Sequence, residues 1–191
     1  MWIIREEQPG DRADVRAVVV AAFGRSDEAD LVERLQAAGE VVLSLVAVAP
    51  GHSGVADPPA TDGVPDGASG EGGEGTIVGH VLFSLLPLSG GEEAVAAAAL
   101  APLAVHPDQQ RRGVGAALVR EGLARLEARQ LPAVVVLGDP DYYQRFGFRA
   151  DLAARLIAPF SGGAFMAIEL QPGSLANDGL AAHYAPAFAG E

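Results

Sequence analysis

Apolar residues in this chain follow two spacings: three and four apart, as on one face of a helix, and in nearly unbroken runs, as in a buried strand. Ile3-Ile4-Arg5-Glu6 reads as a short first strand closed by Pro9-Gly10. Asp11 can then cap a helix with Val15, Val18, Val19 and Ala22 on one face and Gly24 at its stop. A second helix, capped by Ser26 or Asp27, would turn Leu31, Leu35 and Ala38 inward before Gly39. Val41 to Ala49 and Thr76 to Leu85 are valine-rich apolar runs, predicted to be neighbouring strands. Pro87 and Ser89-Gly90-Gly91 separate the latter from a fourth strand region, Ala94 to Val105, whose alanines would equally suit a helical start.

The clearest helix begins at Gly115, with Leu118, Val119, Gly122, Leu123 and Leu126 on one side and Arg120, Glu121 and Glu127 on the other. Leu131-Pro132 ends it. Ala133 to Leu137 predicts a fifth strand, Asp141 to Arg145 a short helix and Phe165 to Leu170 a late strand. A helix joining two apolar strands predicts a parallel pair with a right-handed crossover, hence an α/β chain.

The segment 50–75 breaks this pattern, being dense in Gly, Pro, Asp and Ser without a Lys or Arg. Such a composition buries too little surface to offset its ordering entropy, so a disordered hairpin insertion is expected within one domain spanning 1–191. Cysteine is absent, which excludes disulfides, thiolate metal sites and cysteine nucleophiles. The formal charge is −12 and all thirteen basic residues are arginine, a balance that repels nucleic acid and anionic membranes. It would attract cationic amines, although it equally serves solubility. With no leader pattern and no run of membrane-spanning length, a cytoplasmic protein is expected. His52, His106 and His183 lack metal-ligand spacing, so no metal site is expected.

After His106-Pro107-Asp108, the chain turns through Gln110-Arg111-Arg112-Gly113-Val114-Gly115-Ala116 into the strong helix. The first amides of a helix have no internal partners and point along the positive end of its dipole, so a phosphate can accept several hydrogen bonds there. Gly113 and Gly115 would allow close approach, and Arg111 and Arg112 add positive charge. The segment is not a Walker loop, because no Gly-Lys-Ser/Thr follows, nor the dinucleotide fingerprint, because the third glycine is missing. Downstream, in Gly138-Asp139-Pro140-Asp141-Tyr142-Tyr143-Gln144-Arg145-Phe146-Gly147-Phe148, Tyr143 stands four residues before a Gly-Phe pair.

The first segment matches Gln/Arg-x-x-Gly-x-Gly/Ala and the second the tyrosine element of the GNAT superfamily of acyl-coenzyme A N-acyltransferases. Together with Pro102-Leu103-Ala104-Val105 and Tyr184-Ala185-Pro186-Ala187-Phe188, they resemble its YhbS-like branch. The resemblance implies an α/β (α+β) domain with a mixed central sheet flanked by helices and splayed between the fourth and fifth strands. It implies acetyl-CoA as co-substrate, Leu103, Ala104 and Val105 along the pantetheine arm, and Gln110 to Ala116 around the pyrophosphate. Tyr143 would protonate the leaving thiolate after direct attack by a primary amine, borne by a small molecule or a peptide. Relatives often carry a glutamate base at the start of the fourth strand, where this chain has alanines and Leu100, leaving His80, Asp139, Glu28 or a water relay. A non-catalytic acyl-CoA sensor is the competing function, and oligomeric state stays open, a homodimer included.

Overall fold

The computed structural model describes residues 2–50, 75–90 and 94–189. The seven described strands are β1 (Ile3–Glu6), β2 (Val41–Pro50), β3 (Gly75–Ser89), β4 (Val95–Val105), β5 (Ala133–Leu137), β6 (Phe165–Glu169) and β7 (Ala181–Ala182). They form one sheet in the order β1-β2-β3-β4-β5-β6, with β7 alongside β3. Every pairing is antiparallel except β4 with β5, which is parallel and connected through α3 (Val114–Ala128), as expected. The structure is therefore mixed α/β, with the parallel pair that the pattern predicts and the mixed sheet that the resemblance implies.

Helix α3 lies on one face of the sheet, where Leu118, Val119, Leu123 and Leu126 join Leu45, Val81, Phe83 and Val136 in a buried cluster. Helices α1 (Arg12–Phe23) and α2 (Asp27–Ala38) cover the other face, with Val15, Val18, Val19, Val32 and Leu35 against Val46, Ile77, Leu82 and Ala104. A third cluster unites β5 and β6 with Leu156, Leu175 and Leu180 from the C-terminal part.

Several boundaries differ from the sequence reading. Strand β3 does not stop at Leu85 but runs through Pro87 to Ser89. Pro87 pairs with Ala96 of β4 and its carbonyl accepts from the His183 amide at 3.0 Å, so partners on both flanks outweigh the donor that proline lacks. Helix α2 buries Ala29, Val32 and Leu35, whereas Ala38 is exposed and Leu31 lies beside Ala187 and Phe188 of the C-terminal segment. Asp11 does not cap α1 by its side chain; it accepts from the Gln8 amide and pairs with Arg5 at 2.6 Å. The two-residue β7 and the short helix α5 (Ala150–Ala153) were too brief to show a period. Of the predicted insertion, Pro50 and Gly75 pair with each other at the ends of β2 and β3, and 51–74 lie outside the described residues.

The parallel pairing covers only Ala97–Leu100 against Ala133–Val136, although β4 continues to Val105. Beyond Leu100 its edge has no β5 partner, and opposite this point β4 carries a bulge that sets Ala101 and Pro102 against Leu82 alone. The sheet is thus split between its fourth and fifth strands, as the family resemblance implied.

Candidate active site

The split opens into a cleft of about 600 Å³ between the end of β4, the start of α3 and α4 (Pro140–Tyr143). Leu103 and Val105, alternate residues of β4, face it together with Gln110, Arg111, Gly113, Val114, Gly115 and Ala116. Ala104 points to the opposite face, buried beneath α1, and has only its backbone to offer. Arg112 is exposed beside the cleft and does not line it.

A run of free amides defines the inner end. The backbone nitrogens of residues 111–116 make no hydrogen bond among the described residues; the first bonded amide of α3 is Ala117, which donates to the Gly113 carbonyl at 2.9 Å. Arg111 (φ 59°) and Gly113 (φ 89°) are both left-handed, an alternation that turns successive amides toward one side and makes a concavity for an anion. Gln110 ties this loop to β4 by donating its side-chain amide to the Val105 carbonyl at 3.1 Å. The two glycines act differently. A Cβ on Gly113 would meet nothing, so glycine is there for its φ, whereas one on Gly115 would lie 2.7 Å from the Tyr142 hydroxyl, inside the cleft.

Of the two adjacent phenols, Tyr142 lines the cleft. Its ring carries the Arg145 guanidinium 4.1 Å above it, and Arg145 also lines the cleft. Tyr143 is half-buried one step inward, its ring edge against Gly138, where a Cβ would come within 2.4 Å, and edge-on to Phe148 at 5.8 Å. Burial, with a smaller contribution from Tyr142, pushes the Tyr143 pKa well above the ordinary phenol value. Burial also raises that of Tyr142, with Arg145 and Arg120 opposing. The sequence motif pointed to Tyr143 and passed over Tyr142 and Arg145. The available signal was their helical spacing of three, which places them on one side of the turn.

The structure puts none of the candidate bases in this cleft. His80 is fully buried under α1 and α2, its Nε2 2.9 Å from the Ser44 hydroxyl and 3.3 Å from Glu7. Asp139 accepts from the Asp141 amide at 3.0 Å and so caps α4. Glu28 pairs with Arg25 at 2.5 Å at the start of α2. Among the described residues no group of three or more His, Cys, Asp or Glu could hold a metal, and no helix is long and apolar enough to cross a membrane.

The sequence and the fold can each be set against known proteins. Residues 68–148 match the family model described as Acetyltransferase (GNAT) family. The chain is 36% identical over 152 residues to the uncharacterised N-acetyltransferase YhbS of Escherichia coli K12, covering 80% of this chain and 75% of that one. It is also 36% identical over 140 residues to the uncharacterised N-acetyltransferase YjhQ of the same strain, spanning 72% of this chain and 64% of YjhQ. The crystal structure of YhbS from Escherichia coli in complex with CoA superposes with a TM-score of 0.79 at 31% identity, over 98% of this chain and 92% of that one. A GNAT family acetyltransferase from Brucella melitensis in complex with acetyl-CoA gives 0.69, again at 31% identity, over 98% of each chain. With the split sheet, the unpartnered amides at the mouth of α3 and these likenesses in sequence and fold, the chain belongs to the GNAT family of acetyltransferases.

Proposed function

We propose that this chain transfers an acetyl group from acetyl-CoA to a primary amine, in a single domain whose 50–75 segment is an insertion and whose place is the cytoplasm. The observation that carries this reading is the run of free amides at residues 111–116, opening onto the unpaired edge of β4. The diphosphate of the cofactor accepts hydrogen bonds from those amides, and Gln110 to Ala116 surround it. The pantetheine arm follows Leu103 to Val105 along the bare edge of β4, as a further strand would. The YhbS and Brucella melitensis structures hold CoA and acetyl-CoA, which supports the choice of carrier.

In the reaction the neutral amine adds to the thioester carbonyl, backbone amides of β4 stabilise the oxyanion, and the C–S bond breaks as the carbonyl re-forms. Tyr143 gives its proton to the departing sulfur, and water takes the one lost by the amine. The raised pKa of Tyr143 keeps the phenol protonated but opposes transfer to a thiolate with an ordinary pKa of about 8.5. Desolvation of the thiolate in the adjoining cleft raises its basicity too, which narrows that gap. Tyr142 is the rival acid, favoured by its place on the cleft wall.

An amine panel with free-thiol detection tests turnover, and titration calorimetry with CoA tests binding. Tyr143→Phe is expected to lower kcat by about 10²-fold or more at nearly unchanged CoA affinity, and Tyr142→Phe to retain most of kcat. The opposite pattern assigns the acid to Tyr142. CoA binding with no thiol release from any amine would make the chain a sensor.

A further inference from the structure

All thirteen arginines lie within the described residues, so their partners can be compared. Seven pair with described carboxylates: Arg5, Arg16, Arg25, Arg125, Arg129, Arg149 and Arg155. Arg12, Arg34, Arg111, Arg112, Arg120 and Arg145 have no ion pair among the described residues. In a chain of 25 acidic groups, leaving cations without anions is not forced by scarcity. Four of the six lie at or beside the cleft: Arg111 and Arg145 line it, Arg112 adjoins Arg111, and Arg120 shares with Arg145 a neighbouring hollow that Glu127 and Glu169 also line.

Two of those four are built into a pair. The guanidinium carbons of Arg120, on α3, and Arg145, after α4, lie 5.3 and 5.5 Å from the centre of the same Phe146 ring. Arg145 is fixed further: its Nε donates to the Tyr142 carbonyl at 2.7 Å and its guanidinium carbon sits over the Tyr142 ring, while its Nη groups have no partner among the described residues. An aromatic base orients a guanidinium but does not neutralise it, and two cations sharing one ring repel. A doubly charged oxyanion relieves that repulsion and matches the donor fork. The amides of 111–116 already account for one anionic group of the carrier, the diphosphate. Coenzyme A has one other, the phosphate on its ribose.

Resting on the acyl-CoA reading above, we propose that Arg120 and Arg145, seated on Phe146, form a separate subsite for the ribose 3′-phosphate, so that the chain discriminates coenzyme A from its 3′-dephospho form.

Titration calorimetry with coenzyme A and with 3′-dephospho-coenzyme A tests this. The wild-type chain should bind coenzyme A about 10- to 100-fold more tightly. The double variant Arg120→Gln/Arg145→Gln should bind both equally, at the wild-type level for the dephospho form, while Arg12→Gln keeps the full preference. Each single variant should lose part of the preference, which keeps the test open if the double variant does not fold. A wild-type chain that binds both forms alike, or folded variants that keep the preference or weaken both ligands equally, would overturn the subsite while leaving the acyl-CoA reading standing. Failure of the wild-type chain to bind either form would overturn both.

Discussion

Glu7 shows what a single residue contributes away from the cleft. Its side chain is only 6% exposed, yet it is held as a carboxylate by donors from Gln36 at 2.7 Å, from Ser44 and from His80. Burial pushes its pKa up, but the hydrogen bonds from His80, Ser44 and Gln36 outweigh it and bring the value below the ordinary 4.5. A carboxylate whose pKa falls on folding adds stability that is fully present above about pH 4.5 and is lost as pH falls through the lower, folded value. Glu7→Gln should therefore cost about 1–3 kcal/mol at neutral pH and flatten the acid limb of Tm against pH, measured by thermal melts between pH 3 and 7. Gly115 makes a contrasting case. A methyl there would crowd the hydroxyl tip of Tyr142 and reach Val105 and Leu103 only at ordinary contact distance, so Gly115→Ala should leave Tm nearly unchanged while weakening CoA roughly tenfold or more by calorimetry. At this scale the amide loop was legible because its residues are contiguous in the chain. Glu7, Ser44 and His80 were not, because β1, β2 and β3 bring them together only by sheet register.

Among the elements, α3 carries the site and its seating on the sheet can be tested at Gly122. The ring of Phe83, on β3 and fully buried, would stand 2.4 Å from a Cβ added at that glycine. Alanine gains about 1 kcal/mol of helix propensity over glycine, but an enclosed ring cannot yield by the ångström required. Gly122→Ala should thus destabilise by about 1–3 kcal/mol and lower Tm by several degrees in calorimetric scans. The buried face of α3 could be read from the sequence since its stripe has one register that is wholly apolar. On α2 two overlapping stripes compete, and contact with α1 and the sheet selects Val32 over Ala38. The extent of β3 and the existence of β7 depend on pairings distant in sequence, which local pattern does not encode.

For the whole molecule, the fold class follows from the order of elements, and the split in the sheet from β5 ending where β4 continues. Pro50 and Gly75 stand opposite each other on adjacent strands, so loop length between them adds little to the closure entropy. Replacing residues 51–74 with a short glycine-containing turn should leave CoA affinity within about twofold and Tm within a few degrees. Loss of binding would instead make that segment part of the site. Net charge is a second property of the whole. The chain is acidic overall, while four of the six arginines without an ion pair among the described residues lie at or beside the cleft, a distribution that directs an anionic carrier there and predicts weaker binding as salt rises. Most directly, a crystal structure of the chain with bound coenzyme A tests the central claim. The diphosphate is predicted within hydrogen-bonding distance of amides from Arg111 to Ala116, with the thiol in the gap between β4 and β5. Cofactor bound elsewhere, or amides that stay unpartnered at saturating coenzyme A, would contradict it.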